Sequence, residues 1–242
     1  MNRAALFDVD GTLADTNHLH VTCWWEALRQ AGHTVAMHDI HRAIGLPAGD
    51  LLRHLLGDDH DTARDEALGA AHATLYATHF DRLPALDRAG DLLRALDGRG
   101  WRVVLVTSAG SSELGALRRA VAADDAITAT ASADDVREGK PAPDPVSHAL
   151  GLADANAHEA VFVGDTVWDM EAATRAGVAA VGLLSGGIPR HDLEDAGACA
   201  VYLHPADLLR NLDDSPFAGA QGVRAAPGAG QARRSRAAAP HR

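Results

Sequence analysis

Five runs of five or six largely apolar residues punctuate this 242-residue chain, at 4–9, 102–107, 160–164, 179–183 and 199–203. Runs this short and this apolar suit strands covered on both faces, because a half-solvated strand would alternate. Between them lie helical patterns at 89–98, 113–122, 145–151, 168–176 and 189–197, several of which stop at glycine, a common helix end. Strand and helix alternating in this way predict an α/β fold, a Rossmann-like doubly wound parallel sheet with helices on both faces. Such sheets take ligands at the carboxyl ends of their strands, so the residues just past each run are where chemistry is expected.

From about 17 to 83 the alternation stops. The stretch (WWEALRQAG, LLRHLL, ARDEALGAAHATLYATHF) has helical periodicity and no strand pattern, and about 65 residues is too long for a crossover. The expected organisation is therefore a core of residues 1–15 and 84–214 with an all-helical domain, 16–83, inserted directly after the first strand. That insert holds nine of the fourteen histidines. His38, His41, His54, His60, His72 and His79 are scattered and read as solvated or capping, and Asp58-Asp59-His60-Asp61 reads as a solvated loop. Residues 215–242, rich in Gly, Ala, Pro and Arg, are expected to be a disordered basic tail, because they have too little apolar surface to offset their ordering entropy.

Charge narrows the partners. No acid follows Asp214 while five of the 22 basic residues do, so residues 1–214 carry 17 basic against 33 acidic side chains, a balance of −16. A body that negative argues against nucleic-acid binding, and any phosphate site in it must bring its own positive charge. Two cysteines, Cys23 and Cys199, cannot build a disulfide framework and fit a reducing cytosol. No signal-peptide pattern opens the chain, and no run approaches the roughly 18 apolar residues of a membrane span. We expect a cytoplasmic protein with no membrane partner, either a monomer or a weak homodimer.

Four short segments carry candidate chemistry. Asp8-Val9-Asp10-Gly11-Thr12 follows the first apolar run, and two acids at a strand end imply a cation or a proton, since an unpaired buried carboxylate costs several kcal/mol (roughly). The same five residues also read as a polar turn capping a helix. Thr107 and Ser108 end the second run ahead of a helix whose first N–H groups are unpaired, which makes either an oxyanion site or a plain cap. Lys140, in Glu138-Gly139-Lys140-Pro141, is the only lysine beside 21 arginines and points to a task needing a compact ammonium. Gly164-Asp165-Thr166-Val167-Trp168-Asp169 closes a further run, with Asp165 at the strand end and Asp169 one helical turn on.

Taken together, these four segments resemble the haloacid-dehalogenase superfamily of phosphotransferases. Within it the chain is similar to phosphoglycolate-phosphatase-like and β-phosphoglucomutase-like members, which carry a helical cap after the first strand. The resemblance covers about Arg3 to Leu209. It implies that Asp8 is the nucleophile forming an aspartyl-phosphate, and that Asp10 is the general acid for the leaving alcohol and then the base for water. It also implies a Mg²⁺ ion held by the Asp8 carboxylate, the Asp10 backbone carbonyl and Asp165, with Asp169 close by. Thr107, the Ser108 backbone and Lys140 would hold the phosphoryl oxygens. For its role Asp10 is expected to have a pKa above that of free aspartate. His20 and Trp24, four apart on one helix face, and the loop residues Gly45 and Leu46 would meet a small phosphorylated metabolite when the cap closes.

The chain also departs from that pattern. Sugar-phosphate mutases place an arginine three residues after the loop glycine and a lysine later in the cap, where this chain has Ala48 and about Thr78. The reading is therefore a Mg²⁺-dependent phosphomonoester hydrolase. A phosphomutase and an inactive binding protein on the same scaffold are the alternatives. The segment Leu83-Pro84-Ala85-Leu86, where many relatives have Pro-Gly, has no functional reading.

Overall fold

A computed structural model describes residues 2–218. Its centre is a six-stranded, fully parallel sheet: β1 (Asn2–Phe7), β2 (Trp101–Val106), β3 (Ile127–Ala131), β4 (Ala155–Gly164), β5 (Ala179–Leu183) and β6 (Ala198–Tyr202). The strand order is β3-β2-β1-β4-β5-β6. In this order the chain reverses its direction of winding at β1, and the crevice of such a sheet opens at that reversal. Asp8 stands at that crevice, its amide still tied to Val163 O of β4 at 2.9 Å.

The period of two along β1 divides the core into two layers. Ala5 and Phe7 pack with Leu92, Leu96 and Leu117 on one face, while Ala4 and Leu6 pack with Phe162, Val146 and Met170 on the other. One strand escaped the sequence reading. The β3 residues Ile-Thr-Ala-Thr-Ala are small and half polar, so they form no apolar run, yet β3 pairs with β2 and closes that edge of the sheet.

After β1 the insert forms four α-helices: α1 (Asn17–Gln30), α2 (Met37–Ala43), α3 (Ala48–Leu56) and α4 (Asp65–Ala77). They bury their own cluster of Val21, Trp24, Leu28, Ile40, Leu51, Leu52 and Leu68. The two connections to the sheet run side by side. Asp15 N donates to Pro84 O and Leu86 N to Leu13 O, both at 2.9 Å, so residues 83–86 run antiparallel to 13–15 where the insert rejoins the core. The core continues with α5 (Ala89–Gly98), α6 (Ser111–Val121), α7 (Asp144–Ala153), α8 (Val167–Arg175), α9 (Arg190–Asp195) and α10 (Pro205–Arg210).

The tail expected from residue 215 starts too early. Ser215 is buried, and Phe217 is 2% exposed, stacked on Phe7 and edge-on to Trp101. A single aromatic ring covering the sheet outweighs the glycine-rich composition around it. The rest of the expected tail, 219–242, lies outside the described residues.

Candidate active site

Adjacent strands end together, and this brings the sequence-distant segments into one place. Asp8 follows β1, Thr107 follows β2 and Asp165 follows β4, the three neighbours at the centre of the sheet. Lys140 comes in from the loop between β3 and α7. Its Nζ donates to Asp8 Oδ1 at 2.5 Å and to Asp169 Oδ1 at 2.7 Å. The lysine is 2% exposed, so these ion pairs are shielded from water. The facing carboxylates hold the Lys140 ammonium charged against the opposing effect of burial.

Three buried carboxylates, Asp8, Asp165 and Asp169, lie with their oxygens within 4.8 Å of one another. Local structure sets each one. Asp169 Oδ2 accepts from the Thr166 hydroxyl at 2.7 Å and the Thr166 amide at 3.1 Å, closing a capping box at the start of α8. Asp165 accepts from Thr12 Oγ1 and Asn17 Nδ2, each at 2.8 Å. The backbone crowds the same carboxylate. Gly11 has φ +73°, and a Cβ there would sit 2.3 Å from Asp165 Oδ2; one at Gly186 would sit 1.7 Å from it. Neither position admits a side chain.

Burial leads the electrostatics of this cluster. It raises the Asp8 carboxyl to about 7 with help from Asp169 and Asp10, against the pull of Lys140. Burial and the charges of Asp8 and Asp169 likewise push Asp165 well up. One ammonium does not neutralise three carboxylates, so the cluster calls for a further cation. The donors on offer are hard oxygens, suited to Mg²⁺, Ca²⁺ or Mn²⁺. Asn17 Oδ1, buried beside Asp165 with no hydrogen-bond partner among the described residues, is a further oxygen for the shell of such an ion. The residues present therefore fit a divalent cation.

Asp10 faces elsewhere. Its Oδ1 accepts from Thr16 Oγ1 at 2.6 Å and lies 3.2 Å from His20 Nε2. Burial works to raise its pKa, but the hydrogen bond and charge of His20, with Thr16, hold it below the usual carboxylate range. The expectation of a raised Asp10 is thus wrong: it considered the neighbouring acid and not the imidazole. His20 itself is raised against burial by Asp10 and Glu113, so the proton of this pair sits on the imidazole.

A cavity of 290 Å³ opens above Asp8, Asp10, Ser108 and Lys140, and His20, Trp24, Gly45 and Leu46 all line it. Thr107 lines a neighbouring cavity with Ser108 and Lys140, and its Oγ1 accepts from Ala109 N at 3.0 Å. Trp24 has two attachments, packing in the core of the insert and stacking on His72 with ring centroids 4.3 Å apart. Sequence reasoning missed Glu113, His72 and Thr166 as cavity residues. Their contacts depend on how the insert docks, which no local pattern encodes. Thr78, placed by eye where mutases have lysine, lies exposed past the end of α4 and donates to Leu75 O; the α4 residues at the cavity are Gly69, His72 and Ala73. Ala48 does line it.

The insert is closed over the sheet. His41 Nε2 meets Gly186 O at 2.7 Å, Arg42 pairs with Asp192 at 2.8 Å, and Trp168 Nε1 donates to Arg42 O at 3.2 Å. Among the described residues no helix is long and apolar enough to cross a membrane, and both cysteines are free.

Comparison with known proteins gives the family. A family model described as haloacid dehalogenase-like hydrolase matches residues 2–177. The chain is similar to the pyrophosphatase PpaX of Bacillus thuringiensis (strain Al Hakam), at 28% identity over 71% of this chain and 78% of the relative. Among solved structures, a hydrolase from Pseudomonas syringae superposes with a TM-score of 0.84 at 37% identity, covering 88% of this chain and 99% of the other. CbbY from Rhodobacter sphaeroides in complex with phosphate gives a TM-score of 0.70 at 26% identity, covering 86% and 96%.

Proposed function

The chain belongs to the haloacid dehalogenase-like hydrolases, and from that premise we propose that it is a Mg²⁺-dependent phosphatase acting on the phosphomonoester of a small metabolite. One observation carries the reading: three buried carboxylates and the chain's single lysine converge beneath a cavity at the end of β1.

Asp8 is the nucleophile. Its carboxylate oxygen bonds to phosphorus while the bond from phosphorus to the leaving oxygen breaks, giving a phosphoaspartate. The proton resting on His20 passes through Asp10 to the leaving oxygen, and Asp10 then takes one from the water that cleaves the phosphoaspartate and releases inorganic phosphate. His20, 3.2 Å from Asp10 Oδ1, is the adjacent proton store. Lys140 and the Ser108 backbone hold the phosphoryl oxygens, as Thr107 does from the neighbouring strand end. Asp8, Asp165 and the Asp10 carbonyl would hold Mg²⁺, with Asp169 fixing Lys140 beside them. When bound, the ion supplies charge neutralisation between an anionic nucleophile and an anionic substrate.

The cavity also bears on the substrate class. Above the phosphate end its lining is Trp24, Ile44, Leu46, Ala48 and Leu51, and Glu113 is there with no arginine. That lining has no arginine and no second lysine for a second phosphate, which favours a neutral or apolar leaving group over a sugar bisphosphate. The PpaX likeness makes pyrophosphate the comparison substrate. Free cysteines support a cytoplasmic setting.

The test is phosphate release from p-nitrophenyl phosphate and from a panel of phosphometabolites that includes pyrophosphate, with and without Mg²⁺. Turnover that needs Mg²⁺ and vanishes in Asp8→Asn supports the reading. Wild-type turnover in Asp8→Asn removes the assigned nucleophile, and isomerisation of a sugar 1-phosphate without phosphate release would make the enzyme a mutase.

A further inference from the structure

A second group of ligating atoms stands in the cavity, apart from the Asp8, Asp165 and Asp169 cluster. Asp10, His20 and Glu113 each offer one oxygen or nitrogen within 4.8 Å of the others. His20 Nε2 is 3.2 Å from Asp10 Oδ1 and 3.5 Å from Glu113 Oε1. Charge-assisted hydrogen bonds are shorter, at about 2.7–2.9 Å. Tetrahedral ligands bound at about 2.0–2.1 Å are separated by about 3.3–3.4 Å, close to the 3.2 and 3.5 Å from His20 Nε2 to the two carboxylate oxygens.

The surroundings are those of a metal-binding imidazole. His20 Nδ1 lies 3.1 Å from His72 Nε2, and burial keeps His72 neutral with its pKa down to about 3. With Nδ1 turned to His72, His20 faces the two carboxylates with Nε2. The proton that His20 carries toward Asp10 and Glu113 is the one a bound cation would replace. The Tyr76 ring, 1% exposed, stacks on His20 with ring centroids 3.9 Å apart and holds the imidazole in place.

We propose that Asp10, His20 and Glu113 form a second divalent-ion site, selective for a transition ion that accepts mixed nitrogen and oxygen ligands, such as Zn²⁺, and that filling it switches the enzyme off. Mg²⁺ prefers oxygen alone and stays with the buried aspartates. An ion on Asp10 prevents that carboxylate from giving or taking a proton. The inhibitory half rests on Asp10 acting as the acid and base, whereas the binding half does not.

The full chain, saturated with Mg²⁺, is titrated with Zn²⁺ for phosphate release and with Co²⁺ for its visible absorption, which is intense in a low-coordinate site containing imidazole. Wild-type protein should lose turnover at a Zn²⁺ midpoint that does not move when Mg²⁺ is raised. Asp8→Asn should keep the Co²⁺ spectrum. Glu113→Gln should weaken both Zn²⁺ inhibition and Co²⁺ binding by at least about 10–100-fold, and His72→Phe by about that range through the loss of a supporting partner. A midpoint rising in step with Mg²⁺, with Glu113→Gln inhibited as wild type is, would overturn the proposal, because zinc would then be competing at the buried aspartates. If instead Asp8→Asn turns over normally, the assigned nucleophile fails and the Co²⁺ spectrum still decides the site.

Discussion

Lys140 has the most demanding environment of any single residue here. It is the sole ammonium among three buried carboxylates and is itself 2% exposed. Removing one member of such a set leaves charge buried without a partner, a loss of about 3–5 kcal/mol. Lys140→Met should therefore lower unfolding free energy by about that amount in urea titration without metal, and Mg²⁺ should recover part of the deficit. Phe217 is a second test at this scale. Its ring is buried against Phe7 and Trp101, so Phe217→Ala should destabilise by about 3–5 kcal/mol. A change under about 1 kcal/mol would mean that the sheet does not need this cover.

At the scale of elements, the contact between insert and sheet governs access to the cavity. Gly139, next to Lys140, packs against the Pro47 ring at the start of α3, and a Cβ there would fall 2.3 Å from Pro47 Cγ. Gly139→Ala must push the two apart, and misplacement by about 1 Å can cost about 100-fold in rate. The variant should show kcat/KM reduced by up to that factor with stability nearly unchanged; unaltered kinetics would show that closure tolerates the gap. The loop between α3 and α4 has its own pH dependence. His60 Nδ1 meets Gly57 O at 2.7 Å and Nε2 meets Asp65 Oδ1 at 2.9 Å, so both nitrogens face acceptors and the pKa is raised, first by Gly57 and then by Asp65. The charged form is the favoured one when folded. Its contribution is complete below the unfolded value of about 6.5 and is lost as pH rises through the higher folded value. The Tm advantage of wild type over His60→Gln should thus be present near pH 6 and shrink as pH rises.

For the molecule as a whole, the concentration of like charge at the centre of the sheet links metal binding to stability. An ion that binds only the folded chain adds about 2.7 kcal/mol at 100 times its Kd. Mg²⁺ should raise Tm in wild type, chelator should reverse the gain, and Asp165→Asn should abolish it. An equal rise in that variant would place the ion elsewhere.

Much of this arrangement is local in origin and so was visible in the sequence. The apolar runs of β1, β2, β4, β5 and β6, the helix-period insert and the acids at strand ends all follow from short-range patterning, which burial on both faces imposes on any parallel sheet. The resemblance carried by Asp8, Asp10, Lys140 and Asp165 added roles to positions. Small polar β3 was hidden because its partner β2, and not its own hydrophobicity, makes it a strand. The same holds for Phe217, whose value comes from the rings it covers. Tertiary structure alone brought His20 to Asp10 and Glu113, which reversed the expected shift of the Asp10 carboxyl, and set His72 rather than Thr78 at the cavity. A pKa and a lining depend on which charges and atoms lie within a few ångströms, and chain separation of up to about a hundred residues says nothing of that distance.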